Sequence, residues 1–225
     1  MALMQVLFSP AEAFTSLRGR NWAWILPTVL TILLSVLSVF LLLQRYSAVA
    51  IVEDQIAQSG QQMPAQGMDQ AAGFVAVAMY VSPLFFTVVS ILILALVLLG
   101  IVKGFSGETT YPMMLNCAAY AMFAYAAAGT VLFLTMFYTA SDLRSFQLQN
   151  PIPLNAGYFV TAAEAGKAGV ALLSGVNLLN FYLIYLLSLG AAKLSDRVAI
   201  GKVLWPLAGI YTVYILGKAG LAAIF

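Results

Sequence analysis

Pro83–Val102 reads PLFFTVVSILILALVLLGIV, 20 residues without a charge, closed by Lys103. A helix of about 20 apolar residues is what crosses a hydrocarbon core of about 30 Å. Comparable runs begin near Trp22, Tyr111, Ala168 and Val203. The expected fold is therefore an all-α, polytopic membrane helical bundle. Its five transmembrane helices cover about 22–43, 83–102, 111–138, 168–189 and 203–223.

Composition points the same way. Of 225 residues, 63% are hydrophobic and only 8% charged, where a soluble domain carries about 25% charged residues. So much apolar surface has to be covered by lipid. A net charge of +2 is too small to suggest a nucleic-acid partner. There is no histidine and a single cysteine, Cys117. That removes the commonest general base and rules out a Cys-and-His zinc site. No metal site or cofactor is implied, and Cys117 is read as a small apolar residue of the third span. The start MALMQVLFSPAEAF lacks the charged n-region of a cleavable signal peptide.

Residues 1–20 read as an interfacial helix leading into the bundle. Ser9-Pro10-Ala11-Glu12 has the form of a capping box with proline at the first helical position. Phe14 and Leu17 fall on one face, and Arg18 and Arg20 lie beyond them for lipid headgroups. Trp22 and Trp24 are the expected interfacial anchors of the first span. Ala48–Gln58 keeps a helical pattern outside the bilayer, with SGQQMPAQGMDQ as the turn. Ser82-Pro83 is expected to interrupt the helical pattern that precedes the second span. No Gly/Ser linker divides residues 1–225, so one domain is expected.

Basic residues set the orientation. Arg18, Arg20, Lys103, Lys193, Arg197 and Lys202 share one side with Glu12, Glu108 and Asp196. Arg45, Arg144, Lys167 and Lys218 share the other with Glu53, Asp54, Asp69, Asp142 and Glu164. The first side is the more positive. It is expected to be cytoplasmic together with the N-terminus, with the C-terminus extracytoplasmic. Its six cations are candidate headgroup contacts.

Polar residues inside the spans are the candidate lipid- or partner-binding groups. Asn116 and Tyr120 share one face of the third span, which also holds Tyr125. Ser174, Asn177 and Asn180 share a face of the fourth. An amide turned to lipid leaves its donors and acceptors unpaired, so both faces should point at protein. They serve either as interhelical glue, worth about 0.6 kcal/mol per contact, or as a polar site. Small residues at Ala165, Gly169, Ala171 and Gly175 suit close helix packing or a dimer contact. Glu164 and Lys167 can pair with each other. Lys218 either snorkels to the far interface or meets an anionic headgroup. No serine has a nearby histidine or a GxSxG setting, and GFSGETT lacks the phosphate-loop spacing, so no enzyme is expected.

The order of four stretches resembles the Yip family (Ypt/Rab-interacting proteins), in its short prokaryotic form. They are LFSPAEAFTSLR with the Trp-rich start of the first span and Pro27, GFSGETTYPMMLNCAAYA, NLLNFYLIYLLSLG, and AAKLSDRVAIGK. Two features depart from the family: no proline follows Tyr120 in AMFAYAAAG, and the long N-terminal region of eukaryotic members is missing. A Rab-type role is therefore not carried over. The resemblance implies five spans, a bacterial inner (cytoplasmic) membrane setting, and a non-enzymatic protein. That protein would organise membrane or bind lipid and membrane-protein partners. The alternative is a transporter or scramblase for a lipid or small amphiphile, with a polar groove between spans three and four.

Overall fold

The computed structural model describes residues 2–59, 65–140 and 154–224. Arg144 and Asp142, with most of the loop that holds them, lie outside the described residues, as do residues 60–64 of the turn expected after Ala48–Gln58; residues 65–70, also expected in that turn, are helical instead. Two short helices open the chain, α1 (Ala2–Phe8) and α2 (Pro10–Thr15). Then come α3 (Ile25–Arg45), α4 (Ala48–Ser59), α5 (Ala65–Gly104) and α6 (Tyr111–Thr139). A 3₁₀ turn at Ala156–Phe159 leads to α7 (Ala162–Gly175), α8 (Leu178–Leu194) and α9 (Ile200–Ile224). The protein is a helical membrane bundle: α3, most of α5, α6 and α9 are long and apolar enough to span, and α8 is a shorter apolar helix.

Hydroxyls survive in these helices by bonding their own backbone. In α3, Thr28, Thr31, Ser35 and Ser38 donate to the carbonyls of Trp24, Pro27, Thr31 and Leu34 at 2.7–3.0 Å. This removes the cost of an unpaired donor in lipid. Pro27 and Pro112 occupy first turns, where no N–H is needed.

Besides the turn at 65–70, four expectations need correction. Ser82-Pro83 does not interrupt the chain: α5 is one helix of 40 residues with Pro83 inside it. Neighbouring helices tolerate the single missing N–H. The fourth span is not continuous over 168–189. Val176 and Asn177 leave helical geometry, and α7 and α8 are separate. Residues 154–156 pair there as a short antiparallel bridge: Ala156 N–H donates to Val176 O (3.2 Å) and Leu178 N–H to Leu154 O (2.9 Å). A polar backbone segment thus takes the bonds that a helix would have made. Gly157 permits this approach, because a Cβ there would strike Ser174.

The third correction concerns residues 1–20, which do not form one helix lying on lipid. Phe14 and Leu17 do share a face, but that face and Val6 are wholly buried in the protein core. Gly190 of α8 makes the room, since a Cβ there would come within 2.9 Å of the Phe14 ring. Fourth, Ser9 makes no side-chain cap. The capping box forms instead at Thr161 and Glu164.

The core centres on α6, which packs against α3, α5 and α8 and touches α1. Its inward residues are small: Cys117, Ala118, Ala119, Ala121 and Ala124 are fully buried. Without a hydrophobic drive between helices in lipid, close approach of small residues is what gains packing energy. A second, smaller cluster of Leu42, Tyr46, Ile51 and Phe137 sits at the opposite end. There the Arg45 guanidinium lies over the rings of Phe137 (5.3 Å) and Tyr138 (5.1 Å).

Candidate functional site

Three separate segments meet at one end of the bundle. Arg18 follows α2, the 105–110 loop joins α5 to α6, and the 195–199 loop joins α8 to α9. Arg18 Nε donates to the Lys193 carbonyl (2.7 Å), Nη1 to Asp196 Oδ1 (3.2 Å) and Nη2 to the Ser195 carbonyl (3.3 Å). Asp196 N–H donates to the Glu108 carbonyl (3.2 Å), making a single antiparallel bridge between the loops. Arg197 faces Glu108 at 3.9 Å, and the Thr109 hydroxyl donates to Leu194 O (3.4 Å). Gly107 is needed for this contact: a Cβ would overlap the Val198 side chain and press on Val102.

The result is an end studded with cations. Arg18, Arg20, Lys103, Lys193, Arg197 and Lys202 are all exposed there. Lys202 also sits 5.9 Å above the Phe105 ring. Arg18 is the one most committed to protein, as a staple of the N-terminal segment to the α8–α9 loop. Exposed ion pairs of this kind add about 0–1 kcal/mol each, so the backbone bonds and the buried Phe14 do most of the holding. A cavity of about 800 Å³ opens between the three segments, with Arg18, Lys103, Glu108 and Asp196 on its walls and Met113 and Leu194 among its apolar lining.

The polar span residues form two groups, not one. Asn116 is fully buried; its amide donates to the Arg20 carbonyl, and its Oδ1 has no partner among the described residues. Tyr120, one turn further, is 5% exposed. About 14 Å along α6 from Asn116, the Tyr125 hydroxyl donates to Asn180 Oδ1 (3.2 Å). Asn180 Nδ2 donates to the Tyr211 hydroxyl (2.6 Å), which donates to the Gly175 carbonyl (2.8 Å). This chain of bonds ties α6, α8, α9 and the end of α7 together. Asn177 acts differently. Its Oδ1 accepts from Leu179 N–H (2.9 Å) and caps α8. Ser174 lies on the other side of the helix break, so Ser174, Asn177 and Asn180 do not line one helical face. Among the described residues no bond joins Asn116 or Tyr120 to Asn177 or Asn180. Lys218 is exposed near the far end of α9.

Sequence reasoning missed Tyr211 and the Gly175 carbonyl, which complete the Asn180 cluster. A tyrosine in the middle of the fifth run was the available signal. It also missed Glu164 as a cap. The carboxylate accepts from Thr161 N–H (2.8 Å) and its hydroxyl (3.0 Å), and these bonds hold its pKa below the ordinary glutamate value. Thr161-Ala-Ala-Glu164 carries the capping-box pattern openly.

Fold and site together define a polytopic helical membrane protein whose loops lock at one basic end. The family model described as the Yip1 domain matches residues 4–221, and the chain belongs to that family. No curated protein and no solved structure gives a match.

Proposed function

We propose that the protein acts without catalysis, binding lipid headgroups and a membrane-protein partner at its basic end and so organising the bilayer around it. That end and the N-terminus face the cytoplasm, the C-terminus faces the far side, and the membrane is a bacterial inner membrane. One observation carries the reading. The connecting segments and helix ends that bear the six cations are held together by the Arg18, Glu108 and Asp196 contacts, which presents the charges as one surface. Such a surface suits anionic lipid or an acidic partner segment. The Yip1 family is not a known enzyme family, which accords with the non-catalytic reading.

Asn116, Tyr120, Asn177 and Asn180 serve this reading chiefly by holding the helices that carry the loops. Asn180 commits its amide to Tyr125 and Tyr211. That geometry supports a dry structural cluster over a transport groove. Lys218 is a second headgroup contact, at the opposite interface.

Native mass spectrometry of the protein gently extracted from its own membrane tests the reading. A stoichiometric protein partner or one enriched lipid class is expected. If neither is found, and reconstituted protein moves lipid between leaflets, the transporter reading replaces this one. Sidedness has its own check. A cysteine at Ala199 should label only from the cytoplasm, and one at Asp69 only from outside.

A further inference from the structure

The cavity between the three segments carries charges of both signs, and they are unequally committed. Asp196 is taken by Arg18 at 3.2 Å. Lys103 has no hydrogen bond or ion pair among the described residues. Glu108 has only Arg197 there, at 3.9 Å, and both side chains are largely exposed (75% and 79%). Among the described residues, the cavity therefore offers one free cation and one nearly free anion across the Gly104–Gly107 turn. Met113 and Leu194 supply apolar floor beside them. Its position is where spans end and headgroups begin, and about 800 Å³ is a ligand-sized volume.

We infer that this cavity is a subsite for a zwitterionic phospholipid headgroup with a primary ammonium. The phosphate meets Lys103, the ammonium donates to Glu108, and the glycerol end lies on Met113 and Leu194. The inference deepens the headgroup-binding reading above and rests on it. A purely anionic headgroup would meet Lys103 but be repelled by Glu108. A quaternary choline would meet the same charge but has no N–H to donate, so it forfeits the charge-assisted hydrogen bond.

The full chain in nanodiscs of mixed phosphatidylethanolamine, phosphatidylcholine and phosphatidylglycerol, read by native mass spectrometry, tests it. Phosphatidylethanolamine should be retained over phosphatidylcholine by about tenfold, the worth of one hydrogen bond to a charged group. Glu108→Gln should erase that preference while leaving phosphatidylglycerol bound, and Lys103→Gln should weaken all three. Asp69→Asn, at the far end, should change nothing. Unfolding temperatures measured beside each variant separate lost binding from lost fold; Glu108 bridges Asp196 through its backbone, so Glu108→Gln keeps that contact. An unchanged preference in Glu108→Gln overturns the zwitterion assignment. An unchanged profile in Lys103→Gln removes the cavity but leaves headgroup binding to the other cations. A wild type that retains no lipid sinks the parent reading itself. Added free phosphoethanolamine should compete poorly. If it binds while no lipid is held, the ligand is a soluble phosphate ester and the lipid proposal is overturned.

Discussion

α6 and α9 read much alike as sequences, both long, both apolar and of nearly equal hydropathy. In the bundle they are opposites. In the most apolar stretch of α6, 39% of residues are buried by protein; in that of α9, 11% are. The difference lies in side-chain size. The inward surface of α6 is built from alanines and Cys117, which let four neighbours approach its backbone. The hydropathy of α9 is diluted by Trp205, Tyr214, Gly217 and Lys218, which face outward. In lipid, hydropathy says that a helix is inside the membrane, while small residues say where it sits in the bundle.

Phe14→Ala should break the packing around α6 most severely. It empties a fully buried ring site beside Gly190 and should cost about 3 kcal/mol. Trp205→Ala, on the exposed face of α9, should stay within about 0.5 kcal/mol. Thermal unfolding in detergent checks both, and equal losses would refute the contrast. Ala119→Leu on α6 should cost about 2 kcal/mol by overpacking, while Val213→Leu on α9 should be silent. Tyr211→Phe sharpens the comparison, because Tyr211 is where α9 is tied to the centre by hydrogen bonds. It should cost about 1 kcal/mol, and Tyr211→Phe combined with Asn180→Leu should cost less than the two separately.

The smallest effect belongs to Glu164. Its folded pKa lies below the ordinary value because Thr161 donates to the carboxylate. Its contribution is complete above the unfolded pKa and is lost as pH falls through the folded one. Acidification should therefore loosen the start of α7. Hydrogen exchange at residues 164–168 reads this, and Glu164→Gln should flatten the pH response.

Most spans were legible because length and runs with at most one charge are strong signals. Those expected at 22–43, 111–138 and 203–223 correspond to Ile25–Arg45, Tyr111–Thr139 and Ile200–Ile224. The helix break at Val176 was not. LLSGVNLLNF is as apolar as a span, and the segment at 154–156 that satisfies the broken backbone lies about 20 residues away. The buried N-terminal segment was hidden for a related reason. An amphipathic face announces that something covers it, and lipid and protein are equally apolar covers. Of the candidate site, the sharing of one end by the cations was readable from span parity. The Arg18–Asp196 and Asn180–Tyr211 contacts were not, since they join residues separated by 178 and 31 positions.

The unbroken α5 has a practical meaning of its own. From Asp69 to Lys103 its axis runs about 50 Å, well beyond the hydrocarbon thickness of about 30 Å. The protein thus carries its own depth gauge, marked every 1.5 Å or so along one rod. Single fluorophores stepped along exposed Phe74, Val77, Val81, Leu84 and Phe85 would mark where the far headgroups begin. With Lys103 as the zero mark, the same readings would report the local thickness of any bilayer that holds the protein.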